Sequence, residues 1–416
     1  MNKLVKVKKN KIRVAIVGVG NCAKSLIEGV AQYKHTKNTA GLMYERIGGY
    51  KAGDIEFVLA YDCDQRKTHL PLQDAMYQRP NCAKDLIPYE SPLLETVIAP
   101  DTIVKHGAVL DGFADHMLKG DKDERFERMP GRPDQTVEQI AADLIDCAVD
   151  VCLLYLPVGS QKATEHYVKA CLKAQVPFVN CIPVFIVSNP EWARKIKAAG
   201  IPAIGDDMRS QLGASVLSQA LQELFFDRGM TVDFHCQTNH GGNTDFRNML
   251  DQSRLASKKI SKENVIRSQN DIRGYPVPKN GIHAGPSSYV PFYGDNKIAQ
   301  FRIEATGFGG AKVEFDAKLS VQDSPNSAGV VIDAIRFLRV AYEMNLVGPL
   351  YGPSAATQKT PPMQMYFSDA KNECDMMAQR MKTDLVRMYN LAIFDEDNDQ
   401  TVVTDTSDNS LSAFSK

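Results

Sequence analysis

Val14, Ala15, Ile16 and Val17 form the first apolar run of the chain, and it stops at Gly18-Val19-Gly20-Asn21-Cys22-Ala23. An apolar stripe at Ala23, Leu26, Ile27 and Val30 follows, the i, i+3, i+4, i+7 spacing of a helix packed along one face. The pattern predicts strand, glycine turn, helix. A second strand, Glu56-Phe57-Val58-Leu59-Ala60-Tyr61, ends at Asp62, so residues 34–54 read as an insertion between the first helix and that strand. The charged stretch from Gly120 to Pro133 reads as a solvated loop. Thr136 and Gln139 have the spacing of a capping box, ahead of a helix whose apolar face is Val137, Ile140, Leu144 and Ile145. Val151 to Leu156 reads as a buried strand that ends at Pro157-Val158-Gly159-Ser160. Short strands follow at Phe178-Val179-Asn180 and Ala203-Ile204-Gly205. Strands alternating with helices predict an α/β fold with a parallel, doubly wound sheet.

After about residue 230 the period changes. Val313, Phe315, Ala317, Leu319 and Val321 alternate with Lys312, Glu314, Asp316, Lys318 and Ser320, and Phe301 to Ala305 alternate likewise. Alternation of this kind marks antiparallel strands with one covered and one polar face. A helix resumes around Ser324-Pro325, and Val331, Ala334, Ile335 and Leu338 predict that it packs back on the first unit. The second unit therefore reads as inserted into the first. The expected division is a basic tail over 1–10, a nucleotide-binding unit over 11–212, an inserted α+β unit over 213–323, a return to the first unit over 324–394, and an acidic, disordered tail over 395–416.

Charge narrows the partners. The chain has 416 residues with 49 basic and 50 acidic side chains and a net charge of -1, so no nucleic-acid surface is expected. The basic opening lacks an apolar core and does not read as a secretory signal, and no apolar run approaches the roughly 20 residues of a membrane span. Nine cysteines, an odd number with no CxxC, fit buried thiols in a reducing compartment. The expected setting is cytoplasmic, with no membrane partner.

Gly18 permits a tight turn, Gly20 lets the backbone approach a pyrophosphate at a helix N-terminus, and Ala23 takes the third small position of the motif. Asn21 and Cys22 complete that turn. Asp62, at a strand end, suits the hydrogen bonds of a ribose diol and favours NAD over NADP, although it lies further along than the roughly 20 positions usual for this motif. Gly205-Asp206-Asp207-Met208-Arg209-Ser210-Gln211 follows a short strand and precedes an apolar helix. Asp206 and Asp207 are candidates for cofactor contact. Arg209, Ser210 and Gln211 are candidates for holding a phosphate, against the plainer reading of a helix cap with exposed charges. Lys258 and Lys262 would share a face if helical, which by spacing alone reads as solvated surface.

These segments together resemble the myo-inositol-1-phosphate synthase family in its bacterial and archaeal forms, from about Lys11 to about Gln364. The resemblance is carried by VAIVGVGNCAKSL from Val14, LPVGS from Leu156, NCIPVFI from Asn180, GDDMRSQ from Gly205 and NHGGNTDF from Asn239. It continues through SKKISKENV from Ser257, YVPFYGDNK from Tyr289, DSPNSAG from Asp323 and KTPP from Lys359. It implies a Rossmann-like doubly wound sheet interrupted by an inserted α+β domain that serves catalysis and oligomerisation, in a homotetramer.

The implied reaction converts glucose 6-phosphate to an inositol phosphate, with bound NAD oxidising C5, an enolate closing onto C1, and the ketone then reduced. The resemblance implicates Lys258, Lys262, Lys297 and Lys359, with Asp207 and Asp323 as partners. Lys258 and Lys359 are matched to the C5 oxygen and proton transfers, and Lys262 and Lys297 to the phosphate and C1 oxygen. Asn239 and Asn243 match polar positions beside cofactor or substrate. The family commonly has lysine where this chain has Arg209, which binds phosphate but does not readily give up a proton. The family divides over metal use, and no diagnostic ligand spacing assigns a divalent ion here. Three other readings share these features: a synthase for another sugar phosphate, an NAD dehydrogenase, and a catalytically silent sensor.

Overall fold

The computed structural model describes residues 11–129, 131–251, 254–275, 278, 280–383 and 385. The tail expected over 1–10 and the one expected over 395–416 lie outside the described residues. The chain enters with β1 (Ile12–Val17), α1 (Asn21–Lys34), β2 (Ile55–Asp62), the short α2 (Leu72–Ala75) and β3 (Val104–His106). It continues through α3 (Val137–Asp146), β4 (Val151–Leu154), α4 (Gln161–Ala174), β5 (Phe178–Asn180), α5 (Pro190–Ala198), β6 (Pro202–Ile204) and α6 (Ala214–Asp227). Next come β7 (Thr231–Gly241), α7 (Thr244–Asn248), α8 (Leu255–Arg273), β8 (Ile282–Tyr289), β9 (Asn296–Thr306) and β10 (Lys312–Gln322). The last elements are α9 (Asp323–Glu343), β11 (Gly348–Pro349), α10 (Tyr351–Thr357) and α11 (Phe367–Ala378).

Seven strands form one sheet in the order β11-β6-β5-β4-β1-β2-β3, and every pairing in it is parallel. Its two faces feed separate cores, because successive side chains of a strand point opposite ways. Val14 and Ile16 of β1 join a core with α1 and α9, while Ala15 and Val17 join one with α3, α4 and α5. The α1 stripe is fully buried, and the capping box at Thr136 is formed in both directions. Ile145 departs from the expected face: it is exposed, because the covered face is Ile140, Ala141 and Leu144 with Val137 packed beside them, and Ile145 lies about 100° further round the helix than Leu144.

Between β6 and β11 the chain leaves this sheet and builds a second, ordered β10-β9-β7-β8. β10 and β9 pair antiparallel with alternating exposure, as their period predicts. The β7–β8 pair is parallel instead, and β8, with Gly285 and Pro286 in it, carries no alternation to announce itself. Leu221, Phe225 and Phe226 of α6 cover one face against Val232, Ile303 and Ala305. The chain then returns through α9, whose Val331, Ala334, Ile335 and Leu338 are buried in the first core. The residues 34–54 are pinned to α9 by the buried Arg336, which donates to the carbonyls of Tyr44 (2.9 Å) and Glu45 (3.0 Å). No helix among the described residues is long and apolar enough to cross a membrane.

Candidate active site

A cleft gathers residues at or just past the C-terminal ends of six parallel strands: Gly18, Asp62, Gly107, Tyr155, Cys181 and Asp207. That edge is where an open parallel sheet binds ligands. Its other wall comes from the second sheet and its helices, through Asn239, Asn243, Lys262, Lys297 and Asp323. The empty space is about 1720 Å³, open solvent at its mouth included. The cleft takes in both the glycine turn and Lys262, Lys297 and Lys359.

At the dinucleotide end the glycine turn has the geometry its sequence requires. Gly18 sits at φ +100°, and a β-carbon there would lie 2.5 Å from the Tyr155 carbonyl oxygen. Gly20 caps α1, and a β-carbon built on it would meet nothing within 4 Å. The space in front of the turn is a cradle that any side chain at 20 would enter, and a helix start leaves its first amides without helical acceptors. These residues fit a bound pyrophosphate. Ala23 is fully buried against the sheet.

Asp62 lines the cleft while accepting from the amides of Val19 (2.8 Å), Cys63 (2.7 Å) and Asp64 (2.9 Å). A carboxylate offers about four acceptor sites, so room for a ribose hydroxyl remains. The turn is also gripped by Lys67, which sequence reasoning missed. Its buried ammonium donates to the Val19 carbonyl (2.7 Å) and to Asn81 (2.8 Å). No periodicity or motif marks Lys67, because it lies in a loop whose path is set by contacts remote in sequence. The loop expected from Gly120 to Pro133 is not wholly solvated either. Phe126 lines the cleft, and Glu127 is tied by its amide to Asp64 (3.0 Å).

The lysines and their acids gather in the same cleft, with Asp323 and Ser324 beside Cys22 of the glycine turn. Lys297 on β9 pairs with Asp323 at the start of α9. Lys359 donates to Asp207 (2.7 Å) and to the Met208 carbonyl (2.8 Å). Lys262, on α8, is buried and faces the same cleft. The backbone of position 258 belongs to α8, but the Lys258 side chain lies outside the described residues. Asn243 caps α7 through its oxygen and donates to Asp295 (3.2 Å) and Asp323 (3.3 Å). Asn239 lines the cleft and donates to the Gly285 carbonyl (2.9 Å).

Asp295 is another residue that no pattern in the sequence singles out beyond its place in a matched segment. It is buried, accepts from the Ser324 hydroxyl (2.7 Å) and amide (3.1 Å), and has its carboxyl pushed up to about 6 by burial and then by Asp323. Cys22 lines the cleft beside Ser324 and Ser327, and burial pushes its thiol up to about 12. It stays protonated and is no nucleophile.

Three candidates turn away from the cleft. Asp206 is fully buried, and five donors converge on it: the Asn180 side-chain amide, the amides of Ile186, Val187 and Ser188, and the Ser188 hydroxyl. Burial pushes its carboxyl up to about 6, and its place is behind the wall, holding the 180–188 loop. Arg209 is buried against Gln358 and Gln219. Gln211 bonds by its amide to the Asn326 carbonyl (2.6 Å) and is outside the cleft lining, whereas Ser210 is part of it. Among the described residues no group of three or more His, Cys, Asp or Glu side chains is placed to hold a metal ion.

Two positively charged side chains paired to acids, plus buried Lys262, thus face the same space as a dinucleotide cradle. Such groups stabilise oxygens that acquire negative charge and exchange protons at carbon next to a carbonyl.

The myo-inositol-1-phosphate synthase family profile matches residues 213–324, most of the unit between the two visits to the large sheet. An inositol-3-phosphate synthase of Corynebacterium glutamicum is 42% identical over 362 residues, 85% of this chain and 94% of its own. One of Mycolicibacterium smegmatis is 40% identical over 370 residues, 88% and 97% of the two chains. The solved structure of a myo-inositol-1-phosphate synthase-related protein from Thermotoga maritima covers 89% of this chain and 98% of its own, with a TM-score of 0.71 at 21% identity, so the fold is shared. With identity at this level running through nearly the whole of both bacterial relatives, the chain belongs to the myo-inositol-1-phosphate synthase family.

Proposed function

We propose that the protein is an inositol-3-phosphate synthase that converts D-glucose 6-phosphate to 1D-myo-inositol 3-phosphate with NAD as a resident redox partner. The carrying observation is that Gly18, Gly20 and Asp62 open onto the same cleft as Lys262, Lys297 and Lys359. NAD would supply the acceptance of a hydride from C5 and its later return.

The protein's own groups do the rest. The glycine turn and the start of α1 hold the pyrophosphate, and Asp62 takes a ribose hydroxyl. Lys359, oriented by Asp207, serves the C5 oxygen and its proton, with Lys258 assigned beside it by the family match. Lys262 and Lys297 stand for the phosphate and the C1 oxygen, and Asp323 fixes the Lys297 ammonium. Ser210, Asn239 and Asn243 complete the polar lining. The walls exclude water from a ketone that would otherwise escape or enolise the wrong way.

The segments 11–212 and 324–394 serve as the cofactor unit in this reading, and 213–323 as the catalytic and tetramer-forming one. All nine cysteines are free, which suits a reducing, cytoplasmic setting.

Substrate and product have the same oxidation level, so NAD is used catalytically. Glucose 6-phosphate deuterated at C5 is expected to yield inositol phosphate that keeps the label, with no stoichiometric free NADH. NADH accumulating one-for-one with product would make the protein a dehydrogenase, and absence of both product and NADH would leave a sensor. A product formed only from another sugar phosphate would retain the chemistry and replace the substrate.

A further inference from the structure

Arg209 stands in a segment whose neighbours face the cleft, yet it does not. Asp207, Met208 and Ser210 line the cleft, whereas the Arg209 side chain is 4% exposed and turned inward. Its Nε donates to the Gln358 carbonyl (2.6 Å) and its Nη1 to Oε1 of Gln219 on α6 (2.7 Å). Its backbone amide donates to the Thr357 carbonyl (2.8 Å).

These contacts finish a short antiparallel ladder between two distant segments. The amide of Lys359 donates to the Asp207 carbonyl (2.7 Å), and Asp206 and Thr360 exchange bonds of 2.8 and 3.0 Å. Met208 and Gln358 form the bridge between them. Arg209 therefore grips the peptide immediately before Lys359 and anchors it to α6. Lys359 itself reaches back to Asp207 and to the Met208 carbonyl.

We propose that Arg209 is a positioning residue for Lys359 and not a ligand of the substrate phosphate. The inference rests on the synthase reading for its kinetic test and on the geometry above for its physics. Burial pushes the guanidinium down to about 10, which leaves it charged at neutral pH and able to hold a carbonyl strongly. A lysine at 209 has three rotatable donors and a charge, so it can replace both anchors. Methionine keeps the stem and removes them.

The experiment compares wild type, Arg209→Met and Arg209→Lys for turnover of glucose 6-phosphate and for calorimetric binding of inorganic phosphate. Displacement of a reacting group by about 1 Å costs on the order of a hundredfold in rate. Arg209→Met is expected to lose about that much kcat, with KM and phosphate affinity within about twofold of wild type, scaled to transition-state positioning alone. Arg209→Lys is expected to recover most of the rate. A rise of about tenfold or more in KM and a matching loss of phosphate affinity, at near-native kcat, would identify a phosphate ligand and overturn the inference. Unchanged kcat and KM per folded protein would overturn it as well.

If Arg209→Met does not fold, Gln219→Leu removes one anchor only. It carries the same expectation at smaller size, and native kcat there counts against the proposal. The phosphate titration keeps the two readings separable: weakened binding in Arg209→Met defeats the inference even if wild type proves inactive on glucose 6-phosphate, and undiminished binding supports it. Failure of wild type on that sugar phosphate defeats only the proposed function.

Discussion

At the scale of single residues, Asp295, just before β9, is tied to the start of α9. It accepts hydrogen bonds from the amide and hydroxyl of Ser324 and from the side-chain amide of Asn243, and its neighbour in space, Asp323, pairs with Lys297. Its folded-state value of about 6 lies above the 3.8 of a free carboxyl, so the folded protein keeps this proton more tightly than the unfolded chain. The resulting stability is whole below about pH 4 and is lost as pH rises through about 6. Asp295→Asn keeps a neutral amide there and escapes that loss. The stability of Asp295→Asn relative to wild type should therefore improve from pH 4 to pH 7, by up to about 3 kcal/mol for a shift of this size. Urea midpoints measured across that range check it, and parallel curves for the two proteins would refute it. The sequence displayed Asp295 inside a matched segment, but its burial and its nearness to Asp323 depend on how β9 and α9 meet.

At the scale of elements, the strand–turn–helix from Ile12 to Lys34 behaves as its pattern dictates. Two glycines within it serve different ends. Gly18 has a backbone angle that other residues strain to adopt and no room for a β-carbon, while Gly20 has ordinary extended angles and open space. Gly18→Ala should therefore cost roughly 1–3 kcal/mol of folding stability. Gly20→Val should fold like wild type and bind NAD at least about tenfold more weakly, since its side chain occupies the cradle that a pyrophosphate needs. Thermal melts and equilibrium NAD titration separate the two effects. Wild-type affinity in Gly20→Val would remove the turn from the cofactor site. α9 is the contrasting element, because its apolar stripe was readable but its polar side was not solvated. Asp333, Arg336 and Arg339 are all buried, the last paired with Asp150 and Glu343. Amphipathic reasoning assumes water on the far side of a helix, and here residues 43–50 lie there instead.

Across the whole molecule, the site exists because a chain that leaves the large sheet after β6 comes back. Lys262, Lys297, Asp323 and Lys359 are contributed by α8, β9, α9 and the segment after α10, and they close over the turn between β1 and α1. The return is secured by Arg336, which joins Asp333 and the carbonyls of Tyr44, Glu45 and Tyr50 with no exposure. Replacing it with methionine strands the Asp333 carboxylate, whose value burial already pushes up to about 6. Arg336→Met should lose about 3–5 kcal/mol, the usual cost of breaking a buried pair from one side. Arg336→Met combined with Asp333→Asn should lose less, because no uncompensated charge remains. Denaturant midpoints of the two proteins test this, and equal losses would show that carbonyl contacts, not the charge, carry the clamp.

Val14 to Ala23 determined a strand, a turn and a helix by themselves, because periodicity and glycine geometry are local properties. The alternation in β9 and β10 likewise determined their pairing, since a covered face and a wet one demand a period of two. Side-chain direction was a different matter. Asp206, Asp207, Arg209 and Ser210 are near neighbours with equally suitable chemistry, yet Asp207 and Ser210 face the cleft while Asp206 and Arg209 face the interior. That choice belongs to Asn180, Ser188, Gln219 and Gln358, partners from elsewhere in the chain that capture one side chain and leave the next. Residue type and order supply the donors and charges. Only tertiary packing decides which of them meets a ligand, because each buried polar group goes to whichever partner the fold brings within hydrogen-bonding reach.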